Sequence, residues 1–185
     1  MNKKGVGYST IFYGTGYGNG FPDESRAIAK IEESGIVKIY VEVSDVGSGG
    51  ESVMWQIASQ ALNINKDLVK IINTSTNLMM DSGTAAASRQ TYNTGNAVLS
   101  ACKKLRYSIN KVIDKNQKIE TVLELKLLLQ IMLEKNIAIL EEGYFKANTS
   151  KINEDGQGNP YWPYTFCAQR VTVNVDTETG KIDIL

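Results

Sequence analysis

Apolar and polar residues alternate along several stretches of the chain, and this spacing predicts β-strands. Residues 5–14 alternate loosely and predict a half-buried strand. Residues 25–33 and 36–43 predict an antiparallel hairpin that turns at Ser34 and Gly35. Further strands are predicted at residues 68–73, at residues 138–148 and on the two sides of the TETG turn at 177–180, where Val171, Val173 and Val175 share one face.

Other stretches repeat their apolar residues every three or four positions, and this spacing predicts amphipathic helices. The first helix begins after a run of glycines, and Glu51 in its first turn suits the positive end of the helix dipole. The second begins near Thr94 and extends over about five turns, and a third covers residues 119–134. The apolar positions of the first two helices are Met54, Ile57, Ala58, Ala61 and Leu62, then Val98, Ala101, Cys102, Leu105, Ile109, Val112 and Ile113.

The order of these elements predicts the fold class. Strands come first, a helix and another strand follow, and long helices precede the final strands. This order favours an α+β fold in which a mixed or antiparallel sheet carries helices packed on one side. We expect residues 1–185 to form a single domain, because no repeat and no linker interrupts them.

Composition and charge exclude several classes of function. The chain has 185 residues and is 42% hydrophobic, which suffices for a packed core. Lys plus Arg and Asp plus Glu each number 20, so no net charge attracts nucleic acid or an anionic membrane. No stretch reaches the roughly 18 apolar residues of a membrane span, and the N-terminus does not resemble a signal peptide. We therefore expect a cytoplasmic protein that binds neither nucleic acid nor membranes.

The reactive side chains are few. The chain contains no His, which removes the commonest general base and the commonest zinc ligand. Cys102 and Cys167 are far apart in the sequence, so we expect two buried small hydrophobic residues and neither a disulfide nor a metal site. The acidic residues near glycine-rich turns are more typical of turn and capping positions than of catalysis: Glu24, Asp45, Glu51 and Asp81.

Three glycine-rich segments are the candidates for ligand binding. GTGYGNG at 14–20 favours a tight turn between strands over a dinucleotide-binding loop, because no helix follows it directly. DVGSGGES at 45–52 precedes a helix and predicts either an anion site or a plain helix entrance. DSGTAAASR at 81–89 either lets a ligand touch the backbone or packs a helix entrance closely against a strand. The last two segments each follow a strand, so they are predicted to converge on one pocket for a polar, phosphate-bearing cofactor.

The motifs in these segments resemble those of one known family. YGTGYGNGFPD at 13–23, VEVSDVGSGGESVMWQIASQALNI at 41–64 and DSGTAAASRQTYNTGNAV at 81–98 are followed by AQRVTVNVDTETGKIDIL at 168–185. This order is similar to that of the molybdopterin-binding subunit of the xanthine dehydrogenase and aldehyde oxidase family. The resemblance covers nearly the whole chain.

The resemblance implies molybdenum hydroxylase chemistry in a parent enzyme. Such an enzyme oxidises a purine or a similar heterocycle with water as the oxygen source, and electrons leave through iron–sulfur clusters and FAD on other domains or subunits. By resemblance, the helix entrance and the loop near 85–90 contact the molybdenum-bearing pterin. The matching residues are Gly47, Ser48, Gly49 and Gly50 in the first segment and Ala87, Ser88 and Gln90 in the second.

The sequence departs from the family pattern in ways that affect these expectations. Gly47-Ser48-Gly49 stands where the family usually has a GQG tripeptide, so an amide contact is replaced by a hydroxyl or lost. The glutamate that serves the family as general base, together with a later cofactor-binding glutamine, belongs after the last residue, Leu185. We therefore expect a fragment of the molybdenum subunit, with no catalytic residue of its own. Alone it should bind the cofactor weakly or not at all and be inactive.

The partners implied by this interpretation are the remaining segments of the molybdenum subunit, the iron–sulfur and FAD subunits or domains, and a second copy in a homodimer. Two other hypotheses stay open. The chain is alternatively a stand-alone module that binds an anion or small molecule, which requires its pocket to close within residues 1–185. It is alternatively a structural partner subunit without activity, which pairs through sheet edges and apolar patches.

Overall fold

The computed structural model describes residues 1–73, 75, 77 and 80–185. The described residues form three α-helices and seven β-strands. In chain order the elements are β1 (Asn2–Gly14), β2 (Glu24–Glu32), β3 (Ile36–Tyr40), α1 (Gly50–Leu62), β4 (Val69–Ile72), α2 (Gly95–Ile109), α3 (Val122–Glu134), β5 (Leu140–Lys146), β6 (Tyr164–Asp176) and β7 (Ile182–Ile184).

The main sheet has the strand order β4-β3-β2-β5. The predicted hairpin is confirmed: β2 and β3 pair antiparallel, with Ile31 opposite Val37. β2 also pairs antiparallel with β5, whereas β3 and β4 are parallel, with Val37 opposite Val69. A parallel pair needs a crossover, and α1 provides it. Mixed pairing with helices confirms the predicted α+β class.

The helices cover one face of this sheet and build the core with it. Alternate residues of β2 and β3 are buried against the helices, as the period-two pattern requires. The closest approach is between α2 and β5, where a Cβ added at Gly143 would lie 2.5 Å from the amide nitrogen of Ala101. The buried residues that join the sheet to the helices include Ala27, Ala29, Val37, Ile39, Met54, Ala58, Leu105, Leu125 and Met132.

A second sheet, with the order β1-β6-β7, is exposed to solvent. β1 and β6 pair along their full lengths, from Asn2 opposite Asp176 to Gly14 opposite Tyr164. We call this pair the ribbon. The predicted half-buried strand at 5–14 is wrong in its burial, because almost every residue of β1 is exposed. The expected burial of Cys167 is also wrong, since this residue lies on the ribbon, whereas Cys102 is buried in α2 as predicted.

The predicted element boundaries differ from the structure at several ends. β3 ends at Tyr40 and β5 at Lys146, short of the predicted 43 and 148. The second helix is one turn shorter than predicted because α2 ends at Ile109, and α3 begins at Val122 rather than at 119. A five-residue π-helix, Gln90–Thr94, precedes α2 directly. None of the helices in the described part is long and apolar enough to cross a membrane.

Candidate functional site

The two segments predicted to converge do face each other. β3 and β4 run parallel, so the chain leaves both strands at the same edge of the main sheet. The segment after β3 leads into α1, and the segment after β4 leads through the described residues 80–89 into the turn before α2. Between them lies an open cleft of about 370 Å³, which falls within the usual size range of small-molecule sites. Ser48 lines one wall, and Ala87, Ser88 and Gln90 line the other.

A carboxylate organises the wall at the entrance of α1. Asp45 Oδ1 accepts hydrogen bonds from the backbone N–H groups of Gly47, at 2.9 Å, and Gly49, at 3.0 Å. The hydrogen bond from Gly49 is the main cause that lowers the pKa of the Asp45 carboxyl group below its ordinary value. The sequence predicted either an anion site or a plain entrance here. The structure shows that Asp45 itself fills the anion-binding position of these two amides.

The glycines of this wall differ in what surrounds them. Gly47 and Gly49 have positive φ angles of 96° and 72°, and a Cβ added at either would meet nothing within 4 Å. Any side chain at these positions would be strained by the positive φ angle but would not clash with a neighbouring residue. Open space therefore lies beside both glycines. Gly50 is enclosed instead: a Cβ would lie 2.9 Å from Val43 Cγ1 and 3.0 Å from Gln90 Oε1. Gly50 therefore serves packing.

Gln90 connects the two walls. Its side-chain amide donates to the carbonyl of Ser44 at 3.3 Å, and its oxygen lies beside Gly50. The side chain is therefore partly engaged within the protein. Its backbone begins the π-helix, and such single-turn π-helices are frequent at functional sites.

The second wall has an unusual backbone conformation. Ala87 and Ser88 both have positive φ angles, 49° and 55°, and Arg89 then returns to the right-handed region. Alternation of handedness between successive residues turns their N–H groups toward one point, where they can receive an anion. Within the described residues, no acceptor bonds the backbone N–H groups of Ser88 and Gln90. In the described part of the chain, this wall therefore has two backbone N–H groups without an acceptor, unlike the Asp45 wall.

A buried ion pair supports this second wall. Arg89 is fully buried, and its Nε donates to Asp23 Oδ1 at 2.6 Å. Asp23 Oδ2 also accepts from the backbone N–H of Tyr17 at 3.2 Å, and the Asn93 amide bonds Asp23 Oδ1. The guanidinium lies 5.0 Å from the centre of the Tyr17 ring. Asp23 is separated from Arg89 by 66 residues, so no local motif indicates the pairing.

The acidic residues considered for catalysis act as hydrogen-bond acceptors within the fold. Glu24 accepts from the Tyr144 hydroxyl at 2.7 Å, and Glu51 accepts from the Asn73 amide at 3.2 Å. Asp81 accepts from the Gly83 N–H at 2.8 Å. None of the described residues forms a cluster of three or more potential metal ligands from His, Cys, Asp and Glu.

A larger open cleft lies on the other side of the loop that precedes Arg89. Its volume is about 660 Å³, with Tyr17 and Phe21 on one side and Gly83 and Thr84 on the other. The rings of Tyr17 and Phe21 meet edge to face at 5.1 Å. The backbone N–H of Thr84 donates to the Tyr17 hydroxyl at 3.0 Å. Residues 83–89 thus form a partition between two clefts.

Comparison with known proteins identifies relatives of the whole chain. A family model described as the molybdopterin cofactor-binding domain matches residues 1–185. Aldehyde oxidase 4 of Rattus norvegicus is 29% identical over 184 residues, which are 99% of this chain and 14% of that protein. Xanthine dehydrogenase of Dictyostelium discoideum is 24% identical over 182 residues, 96% of this chain and 13% of that protein.

Comparison with solved structures finds proteins of similar fold. The aldehyde oxidoreductase from Desulfovibrio gigas superimposes with a TM-score of 0.80 at 25% identity, covering 99% of this chain and 19% of that one. The aldehyde oxidoreductase from Desulfovibrio desulfuricans gives a TM-score of 0.77 at 26% identity, with the same two coverages. CO dehydrogenase from Oligotropha carboxidovorans, at 19% identity and a TM-score of 0.70, shares the fold.

This chain spans about 14% of the length of the aldehyde oxidase 4 of Rattus norvegicus, so it corresponds to one portion of a much longer oxidoreductase. The match of the family model extends over every residue of the chain, and the fold agrees with the structures of two aldehyde oxidoreductases. The resemblance noted in the sequence motifs is thereby confirmed. The chain belongs to the molybdopterin cofactor-binding domain family of the molybdenum hydroxylases.

Proposed function

We propose that this chain forms part of the molybdopterin pocket of a molybdenum-dependent hydroxylase. The observation that carries the proposal is the cleft of about 370 Å³ between two loops of small residues, in a chain of this family. Side chains as small as Ser48, Ala87 and Ser88 let a rigid, polar ligand reach the backbone. The segments that carry these residues follow β3 and β4, which are parallel neighbours in the main sheet.

The two walls of the cleft suit such a cofactor in different ways. The free N–H groups of Ser88 and Gln90 suit an anionic group of the cofactor, and the open space beside Gly47 and Gly49 leaves room for its body. Asp45 already accepts hydrogen bonds from the N–H groups of Gly47 and Gly49. We therefore expect this wall to make van der Waals contacts with the cofactor rather than hydrogen bonds through these two groups. When bound, the group supplies a molybdenum centre that oxidises a carbon atom with water as the source of oxygen.

The parent enzyme is proposed to act on purines or similar heterocycles, or on aldehydes as the names of its relatives suggest. The acidic residues of this chain near the cleft are engaged as acceptors, so we expect the general base to come from another segment of the molybdenum subunit. Electrons are expected to leave through iron–sulfur clusters and FAD on other domains or subunits. The proposed compartment is the cytoplasm.

The isolated chain should bind the cofactor weakly and be inactive, because it supplies only part of the pocket. The first test is elemental analysis for molybdenum by mass spectrometry, with fluorescence of the oxidised pterin, on the purified chain. We expect less than one cofactor per chain. Titration with molybdopterin released from a molybdenum enzyme should then show weak, saturable binding. Stoichiometric cofactor on the purified chain, or turnover by it, would show that the pocket is complete within these residues.

Matched variants locate the binding. Ser88→Trp fills the cleft and should abolish the binding seen in the titration. Ser9→Trp places the same side chain on the exposed ribbon and should leave binding unchanged. If Ser88→Trp binds the cofactor as tightly as the unmodified chain does, the cleft is not the cofactor site.

One observation favours an additional role as an assembly element. Both faces of the ribbon are exposed, and aromatic residues lie on one of them, with the Phe12 and Phe166 rings 5.0 Å apart. A large exposed apolar surface is typical of a site that another polypeptide segment covers. We propose that the remaining molybdenum-subunit segments, or a second copy of the chain, cover it.

A further inference from the structure

The guanidinium of Arg89 binds the loop that ends in the cleft wall. Nη1 donates to the carbonyl oxygens of Ser82, at 2.8 Å, and Thr84, at 3.1 Å. Nη2 donates to the carbonyl of Glu24, at 2.8 Å, and to Ser25 Oγ, at 3.1 Å. Every N–H direction of this planar group is thus directed at an acceptor, and the acceptors belong to two separate stretches of chain.

These contacts fix both ends of the segment that forms the wall. Thr84 is held by the guanidinium, and Arg89 itself begins the turn into α2. Between them, the carbonyl of Ala87 accepts from the backbone N–H of Gly16 at 3.0 Å. Left-handed conformations at consecutive non-glycine residues are unfavourable, so surrounding contacts must hold Ala87 and Ser88 in them. The Arg89 side chain contributes by holding Ser82 and Thr84, at the start of the same segment.

We propose that Arg89 is a positioning residue that holds residues 82–88 in the conformation in which Ser88 and Gln90 present their N–H groups to the cleft. The identity of the molecule that these N–H groups would receive rests on the proposed function. The dependence of the loop on Arg89 is a property of the chain alone and is tested without any ligand.

Lysine cannot replace arginine in this role. An ammonium group could keep the ion pair with Asp23, but it has three donors on one atom. It cannot bond the carbonyls of Ser82, Thr84 and Glu24 together, because these lie around a planar fork. Arg89→Lys therefore keeps the positive charge at this position and removes the planar arrangement of hydrogen-bond donors.

The first experiment measures amide hydrogen exchange and amide NMR signals in Arg89→Lys. We expect exchange of the hydrogen-bonded amides of Ser82, Thr84 and Arg89 to rise by at least about tenfold, because losing even one hydrogen bond to a charged group shifts a local opening equilibrium by about that factor. The backbone NMR chemical shifts of Ala87 and Ser88 should move toward values typical of residues with negative φ angles. Exchange in the core strands β2 and β3 should stay unchanged.

Arg106→Lys is the matched control. Arg106 is also buried, and it donates to the carbonyls of Leu62, at 2.9 Å, and Gln117, at 2.7 Å, at the other end of α2. This variant should raise exchange near 114–120 and leave residues 82–91 unchanged. If Arg89→Lys does not fold, Ser25→Ala removes one acceptor of the guanidinium, together with the hydrogen bond from Ser25 Oγ to the Ser82 carbonyl at 2.6 Å, and should raise exchange in the same loop.

A double-mutant cycle tests the contact itself. A Cβ at Gly83 would lie 2.6 Å from Arg89 Nη1, so Gly83→Ala should disturb the loop more in the unmodified chain than in Arg89→Lys, which lacks that atom. Gly156→Ala has a similar positive φ of 77° but meets nothing within 4 Å, so it should be additive with Arg89→Lys.

Unchanged exchange and unchanged Ala87 and Ser88 signals in both Arg89→Lys and Ser25→Ala would overturn the positioning role. Additivity in the Gly83 cycle would do the same. These outcomes are separate from the proposed function, which is judged by the cofactor titration of the unmodified chain and of Ser88→Trp. A loop that depends on Arg89, together with cofactor binding that Ser88→Trp leaves unchanged, would keep the inference and reject the proposed function.

Discussion

At the entrance of α1, an internal carboxylate takes the place that an external anion occupies at many helix N-termini. Asp45 was a weak catalytic candidate in the sequence, and the structure makes it the residue that shapes the loop through Gly47 and Gly49. A carboxylate whose pKa is lowered by such hydrogen bonds is a poor proton acceptor near neutral pH. Its contribution is conformational.

This role predicts a pH dependence. The hydrogen bonds lower the pKa of Asp45 in the folded state, so its stabilisation is complete above the unfolded pKa of about 3.9 and is lost as the pH falls through the lower folded pKa. Asp45→Asn should therefore be less stable than the unmodified chain at pH 7, and the difference should shrink in acid. Urea unfolding at several pH values measures it.

The control for this prediction is Ser52→Ala, which changes an exposed side chain without a titratable group in the first turn of α1. Its effect on the free energy of unfolding should be the same at every pH. A difference between Asp45→Asn and the unmodified chain that is equally large at neutral and acidic pH would contradict the role assigned to Asp45.

Single residues were predictable where the pattern is local. The small residues of both cleft walls could be recognised because Gly, Ala and Ser cluster visibly in the sequence. Arg89 and Asp23 could not, because an arginine among polar residues is ordinarily exposed and its partner lies on a distant turn. Long-range pairing of charges leaves no trace in local spacing.

Among the elements, α3 has the best-defined beginning. The Thr121 side chain accepts from the Glu124 N–H at 3.2 Å, and Glu124 accepts in return from the Thr121 N–H at 2.8 Å. Thr121→Ala should destabilise the protein by about 1 kcal/mol, because a helix amide loses its acceptor. Thermal or urea unfolding measures the change. Gln130→Ala, an exposed substitution on the same helix, should have little effect, and equal losses in both would argue against the cap.

The contact between α2 and β5 is a second element-level feature with a clear test. In Gly143→Ala the added Cβ would lie 2.9 Å from Ala101 Cβ and would also approach the Ala97 carbonyl, so the helix must move away from the sheet. We expect a loss of about 1–3 kcal/mol in the free energy of unfolding, as for other overpacked sites.

Gly7→Ala is the matched control for this packing contact. Gly7 also lies in a strand, but a Cβ there would meet nothing within 4 Å. Its effect should be neutral or slightly stabilising, because alanine restricts the unfolded chain more than glycine does. If Gly143→Ala were as mild as Gly7→Ala, the helix and the sheet would have to be less tightly packed than the structure shows.

The boundaries of elements were less predictable than their existence. Val112 and Ile113 continue the apolar spacing of α2 and pack against the core, yet the helix ends at Ile109 and turn-type hydrogen bonds follow, such as Val112 N–H to the Ile109 carbonyl at 2.9 Å. Apolar spacing records which residues are buried. It does not indicate whether these residues lie in a helix or in a turn.

At the scale of the whole molecule, the chain divides into a packed body, which contains both clefts, and an exposed ribbon. The sequence predicted the strands of the ribbon correctly. It could not predict that they form a separate sheet, because alternation in β1 is the same whether one face is covered or not. Burial depends on what packs against a strand, and the spacing of residues within that strand does not record it.

The exposed aromatic face gives a prediction for the whole chain. Phe12→Thr combined with Phe166→Thr should lower the binding of an apolar dye and reduce self-association. The free energy of unfolding should change by less than about 0.5 kcal/mol per site, because both rings are mostly exposed. Dye fluorescence and sedimentation velocity measure these effects.

Tyr107→Thr is the control for the aromatic face, since Tyr107 is 69% exposed but lies on α2. It should not alter self-association. If the ribbon variant were strongly destabilised while Tyr107→Thr was not, the ribbon would be part of the packed body and would not be available to a partner.

The different surroundings of the two cysteines provide a reporter for the ribbon. Burial raises the pKa of the Cys102 thiol to about 12, so this group is protected from alkylation in the folded protein. Cys167 is exposed and lies opposite Ile11 in the ribbon. A maleimide should therefore label one thiol per folded chain without any engineered mutation. Cys167 follows Phe166 directly in β6, so its side chain lies on the ribbon face opposite the aromatic one. The labelling rate would then fall when a polypeptide covers the Cys167 face and stay unchanged when it covers only the aromatic face, which tells the two faces apart.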